Sequence, residues 1–147
     1  MQVKCHKNVI IKLYIQNEEK RMNLEECYES FGGSYADVKS RLMKDELIQR
    51  LVIKFLADPS YGNLSKAMEQ ADHGAAFRAV HTLKGVSQNL SFDRLSSSTH
   101  ELTETLRRWE REPVDEEKCA QQWQQVSADY EAVAHAIRML QESDTTE

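Results

Sequence analysis

Apolar residues recur in this chain at helical spacing over long stretches, and the sequence offers few of the turn signals that a sheet requires. Leu47, Ile48, Leu51, Val52, Phe55 and Leu56 follow the i, i+3/i+4 rule of one buried helical face. Trp123, Val126, Tyr130, Val133, Ile137 and Leu140 repeat the pattern near the other end. Only 5 glycines and 2 prolines occur among 147 residues, too few to punctuate the many short strands of a sandwich or barrel. No Val/Ile-rich alternating run bounded by turns is present. The second half is dominated by strong helix formers.

Breakers divide this pattern into segments. A short helix from Leu24 ends at Gly32-Gly33. Ser34 suits the N-cap of another that runs through Leu42. Asp45 opens the first strongly patterned segment, which Asp58-Pro59-Ser60 breaks or kinks before a helical continuation from Tyr61 to Ala71. Asp72-His73-Gly74 forms a turn with a credible N-cap, and a helix follows to Asn89. Ser91 or Asp93 caps the next, which extends to about Trp109 with Leu95, Leu102, Leu106 and Trp109 inward. Glu112-Pro113 starts the last. Short connections between long helices imply antiparallel neighbours. The expected fold is an all-α, antiparallel, up-and-down four-helix bundle with short N-terminal helices, over residues 23–142. Residues 143–147 are expected to be a disordered tail.

This length suits a single domain. It leaves no room for a nucleotide-binding domain beside a second one, and no Gly-rich nucleotide loop occurs. The 19 Lys and Arg stand against 24 Asp and Glu, a net charge of −5, which argues against a general nucleic-acid binder. Cys5, Cys27 and Cys119 form no Cys-x-x-Cys pair and read as reduced thiols of a cytoplasmic protein. No two of the five histidines have the spacing of a zinc site, so no metal is expected on this chain.

Residues 1–22 differ from the rest. The apolar run Val9 to Ile15 is interrupted by Lys12 and followed by a charged stretch, too short and too charged to span a membrane. It also lacks the long apolar core and cleavage site of a secretory signal. These residues are expected to be an N-terminal extension that is either peripheral or non-native, with Met22 as the true start in the second case.

The chemistry is concentrated in Ala76-Phe-Arg-Ala-Val-His81-Thr-Leu-Lys84-Gly85-Val-Ser-Gln-Asn-Leu90. On a helical wheel, Ala76, Val80, Leu83, Ser87 and Leu90 form a small-and-aliphatic stripe fit for a bundle core. Gly74, Phe77, Arg78, Lys84, Gly85 and Gln88 all fall within about 60° of His81 on the other side. A mid-helix glycine costs about 1 kcal/mol relative to alanine, so Gly85 needs an offsetting use. One turn after His81, it clears the surface beside the imidazole for a partner's loop or a phosphoryl group. Lys84 can neutralise an incoming anion, and an exposed Phe77 suits an apolar docking contact. Imidazole, with a reference pKa of about 6.5, is largely neutral at pH 7 and attacks phosphorus without a separate base. Phosphoryl transfer then needs mainly positioning and charge compensation. An exposed histidine with Lys at +3 and Gly at +4 is thus a minimal phosphoryl carrier.

His81-Thr-Leu-Lys84-Gly85-Val-Ser87-Gln-Asn-Leu90 resembles the signature of histidine-containing phosphotransfer (HPt) domains, H-x-L-K-G-x-S/A-x-x-L-G. The resemblance spans about Leu24 to Leu140. It implies a four-helix bundle that shuttles phosphate between receiver-domain aspartates in two-component phosphorelays. His81 would be the phosphoacceptor, Lys84 would sit by the phosphate, and Gly85 would leave room for the receiver. Phe77, Arg78, Gly85 and Gln88 would form the docking face. The implied partners are receiver domains of response regulators or hybrid sensor kinases, without nucleic acid or membrane, and a cytoplasmic monomer is expected. The chain would have no kinase activity and no cofactor of its own, with Mg²⁺ held by the receiver's carboxylates. The alternative is a non-catalytic bundle that sequesters or scaffolds response regulators. Two departures stand out. Ser91 replaces the glycine after the final leucine and is expected to cap the following helix. The polar partner that the family often sends from the next helix falls to Thr103 or Thr99.

Overall fold

The computed structural model describes residues 22–145, so all of the N-terminal extension but Met22 lies outside the described residues. Seven helices and no strand occur among those described, as the periodicity predicts. They are α1 (Leu24–Ser30), α2 (Tyr35–Leu42), α3 (Asp45–Phe55), α4 (Ser60–Glu69), α5 (His73–Asn89), α6 (Asp93–Leu106) and α7 (Glu116–Thr145).

Local chemistry sets most of these boundaries. Asn23 accepts a hydrogen bond from the Glu26 amide at 2.8 Å and donates its own amide to the Glu26 carboxylate, a reciprocal cap on α1. Gly32 ends that helix at φ +76°, where a side chain would be strained and would meet Arg94. Ser34 caps α2 through the Asp37 amide, and Asp72 caps α5 through the Ala75 amide.

Three sequence expectations about boundaries are corrected. α6 stops at Leu106 rather than near Trp109, which leaves the helix in a turn and lays its ring over Gly74. α7 starts at Glu116 rather than at Pro113, because the Asp115 carboxylate accepts from the Lys118 amide and fixes the first turn there. α7 also continues to Thr145, into the stretch expected to be a tail. The Ser143 hydroxyl is held there, donating to the Met139 carbonyl and accepting from the Met22 amide at 3.0 Å.

α5 packs between α4 and α6, and α6 packs on α7. α5 and α6 are joined at one end by residues 90–92, and Trp109 meets Gly74 at the other, so the two run in opposite directions. Tyr61 of α4 stacks on Tyr130 of α7, with ring centroids 3.6 Å apart, and α3 reaches α7 through Phe55 and Tyr130. Leu64, Val80, Leu83, Leu95, Leu102, Val126, Val133 and Ile137 fill the middle. Tyr28, Phe31, Phe55 and Phe92 close one end as an aromatic cluster with centroids 5.0–5.6 Å apart between contacting rings. The Tyr28 hydroxyl donates to the Leu90 carbonyl at 2.7 Å, which ties α1 to the end of α5.

Ser91 does not cap α6. It stands at φ +59°, in the left-handed region that favours glycine. Its hydroxyl donates to Asp37 and accepts from Arg41, while the Arg41 guanidinium also donates to the Asn89 carbonyl. The Ser91 hydroxyl and, after it, Arg41 hold the Asp37 carboxyl below the usual carboxylate range. α2 thus braces a turn that a glycine would make without strain.

Candidate functional site

α5 carries two faces. Ala76, Val80, Leu83, Ser87 and Leu90 are all buried, as the helical wheel predicts. Ser87 donates its hydroxyl to the Leu83 carbonyl at 2.7 Å inside the core. On the other face His81, Arg78 and Gln88 are exposed, and Phe77, Lys84 and Gly85 are half-buried. The helix therefore presents the imidazole at mid-length, with its backbone held from behind by the core.

The two glycines of this face have different uses. A Cβ built on Gly85 would meet nothing within 4 Å, so the surface beside His81 is open. A Cβ on Gly74 would come within 2.8 Å of the Trp109 ring. Gly74 is buried and serves packing between α5 and the end of α6.

Phe77 differs from its sequence expectation. It is half-buried against the core, and its ring lies 6.0 Å from the His81 ring, tilted by only 20°. The guanidinium of Arg107, at the C-cap of α6, sits 5.8 Å from the Phe77 ring centroid, a cation–π contact. Phe77 is thus a platform between a cation and the imidazole.

Glu104 of α6 and Arg107, the residue directly after that helix, bring polar groups to this face. Glu104 accepts from Arg107 Nη2 at 2.8 Å and from Nε at 3.1 Å. This hydrogen-bonded guanidinium, and more weakly the charges of His100 and Lys84, hold the Glu104 carboxyl below the usual range. Lys84 itself forms no ion pair among the described residues.

Thr103 and Thr99 do not supply the polar partner expected of them. Both are fully buried. Thr103 donates to the Thr99 carbonyl at 2.6 Å, and Thr99 donates to the carbonyls of Leu95 and Ser96. A hydroxyl on so short a side chain is satisfied by its own helix. Sequence reasoning missed Glu104 and Arg107, although their i, i+3 spacing and opposite charge were a readable signal.

Among the described residues, no group of three or more His, Cys, Asp or Glu side chains is placed to hold a metal. No helix there is long and apolar enough to cross a membrane. Cys27 and Cys119 are buried free thiols, away from this face.

The family model of the Hpt domain matches residues 56–142, more than half of the chain. The match includes α4 to α6 and most of α7, and α1 to α3 precede it. No curated protein and no solved structure matches.

Proposed function

The chain belongs to the Hpt domain family, whose members carry phosphoryl groups on histidine in two-component phosphorelays, and from that premise we propose that His81 is its phosphoacceptor. The observation that carries this reading is the single face of α5 on which an exposed His81 stands beside Lys84 and an open Gly85. A receiver-domain aspartyl phosphate docks there. A ring nitrogen of His81 donates its lone pair to phosphorus, and the second ring nitrogen keeps its proton. The bond from phosphorus to the aspartyl oxygen breaks, and its electron pair restores the receiver's carboxylate. The reverse sequence delivers the group to another receiver.

Lys84 compensates charge on the transferring oxygens. Gly85 admits the partner's backbone. Arg78, Gln88 and the exposed edge of Phe77 complete the docking face, where the cations complement an acidic receiver pocket. Mg²⁺ belongs with the receiver's carboxylates, and the chain transfers phosphate as a carrier without a kinase reaction of its own.

The test uses a receiver charged from a small phosphodonor and mixed with this protein. Acid-labile, base-stable label on the wild type, lost in His81→Gln, is the expected result. Label that persists in His81→Gln refutes the assignment. A receiver complex without transferred label would make the chain a scaffold instead.

A further inference from the structure

The site holds an anion before any phosphate arrives. Glu104 stands on α6 opposite Ala79 and Val80, just before His81 on α5, for the two segments run antiparallel with Gly74 opposite Trp109 and Phe77 opposite Arg107. Its carboxylate takes two hydrogen bonds from the one guanidinium near the Phe77–His81 ring pair. It also lies within the field of Lys84, the cation one turn from His81. Arg107 is therefore engaged by contact with a resident negative charge, whereas Lys84 forms no ion pair among the described residues. A phosphoryl group on His81 adds about two more negative charges at pH 7.

We propose that Glu104 is a positioning residue that competes with the phosphoryl group for the cations of this face, and so keeps the phosphohistidine poised for onward transfer. In the unphosphorylated protein it parks Arg107 over Phe77. When the phosphoryl group arrives, Arg107 exchanges the carboxylate for phosphoryl oxygens, and Glu104 is left as a like charge beside them. That repulsion raises the phosphohistidine relative to the receiver's aspartyl phosphate, which favours release to a downstream receiver. No proton or bond is made by Glu104. It acts only on the charge balance, and both partners of the pair are about half exposed, so the effect is modest and screened by salt. This inference rests on His81 as the phosphoacceptor.

The experiment measures the equilibrium partition of label between the full-length protein and a receiver, and the lifetime of the isolated phosphoprotein. Glu104→Gln is expected to shift partition toward this protein by about two- to fivefold and to lengthen the lifetime, with the shift shrinking at high salt. Glu104→Asp is expected to stay near wild type. Arg107→Gln is expected to move partition the other way, and Glu104→Gln added to it should shift partition less than in the wild type. Unaltered thermal unfolding of the variants shows that the fold is not the cause. A wild type that labels normally, with unchanged partition and lifetime in Glu104→Gln, overturns this inference alone. Absence of label from the wild type, or label retained by His81→Gln, overturns the phosphoacceptor reading and this inference with it.

Discussion

Gly85 offers a prediction in which stability and function move in opposite directions. It lies inside a 17-residue helix, its φ is outside the left-handed region, and a Cβ there meets nothing within 4 Å. Nothing in the folded protein therefore needs a glycine at this position. Replacing it with alanine removes the helix penalty and the extra freedom of the unfolded chain, a gain of about 0.5–1 kcal/mol. For a domain of this size that corresponds to a rise of roughly 2–5 °C in Tm. Gly85→Gln, also a good helix former, should fold and keep most of that gain. Phosphotransfer should fall in the order of side-chain size, because each added atom occupies space beside His81 that an incoming receiver would fill. Thermal unfolding and initial transfer rates, measured on the same preparations, test both halves. A lower Tm for Gly85→Ala would refute the open-space argument. A higher Tm with transfer unchanged in both variants would show that no partner approaches the helix there.

Gly74→Ala is the contrasting case: a Cβ 2.8 Å from the Trp109 ring overpacks the α5–α6 contact, and denaturant melts should show a loss of about 1–3 kcal/mol. Ser91→Ala keeps the left-handed backbone but deletes the bridge between Asp37 and Arg41, so a loss of about 1–2 kcal/mol is expected by the same melts, whereas Ser91→Gly relieves the backbone and should lose less. Cys27 is buried and its thiol is pushed up to about 12, with Cys119 also raised by burial. Alkylation at pH 8 followed by mass spectrometry should leave both unmodified in the folded protein and modify both in denaturant.

The parts of this structure that were legible in the sequence are those set by local rules. The core stripe of α5 is a 3.6-residue repeat, and the caps of α2 and α5 are single polar side chains directly before their helices, so each is readable from a few adjacent letters. The face around His81 follows from the same repeat, and the Hpt family match over residues 56–142 agrees with the motif that lies on it. The parts that were not legible depend on residues far apart in the chain. The end of α6 is decided by the use of Trp109 against Gly74, 35 positions earlier. Ser91 looks like an N-cap by type, but contacts from α2 hold it in a glycine-like backbone. Thr99 and Thr103 lie on the helix expected to offer a polar partner, but no rule of spacing tells that their hydroxyls are spent on the preceding turn.

The same distinction explains why the sequence shows the α5 face that carries His81 but not the charged pair beside Phe77. A motif within one helix specifies what that helix presents, whereas the electrostatics of the face are shared with its neighbour. Lys84 is visible from the motif. Glu104 and Arg107 enter only because α6 packs antiparallel to α5 and brings Arg107 over the ring next to His81. On a chain of net charge −5, a cationic face would be the expected way to hold phosphate. A carboxylate bonded to one of its cations weakens that hold. For a carrier this is no defect, because a group that must be passed on should be held only as firmly as its next acceptor can overcome.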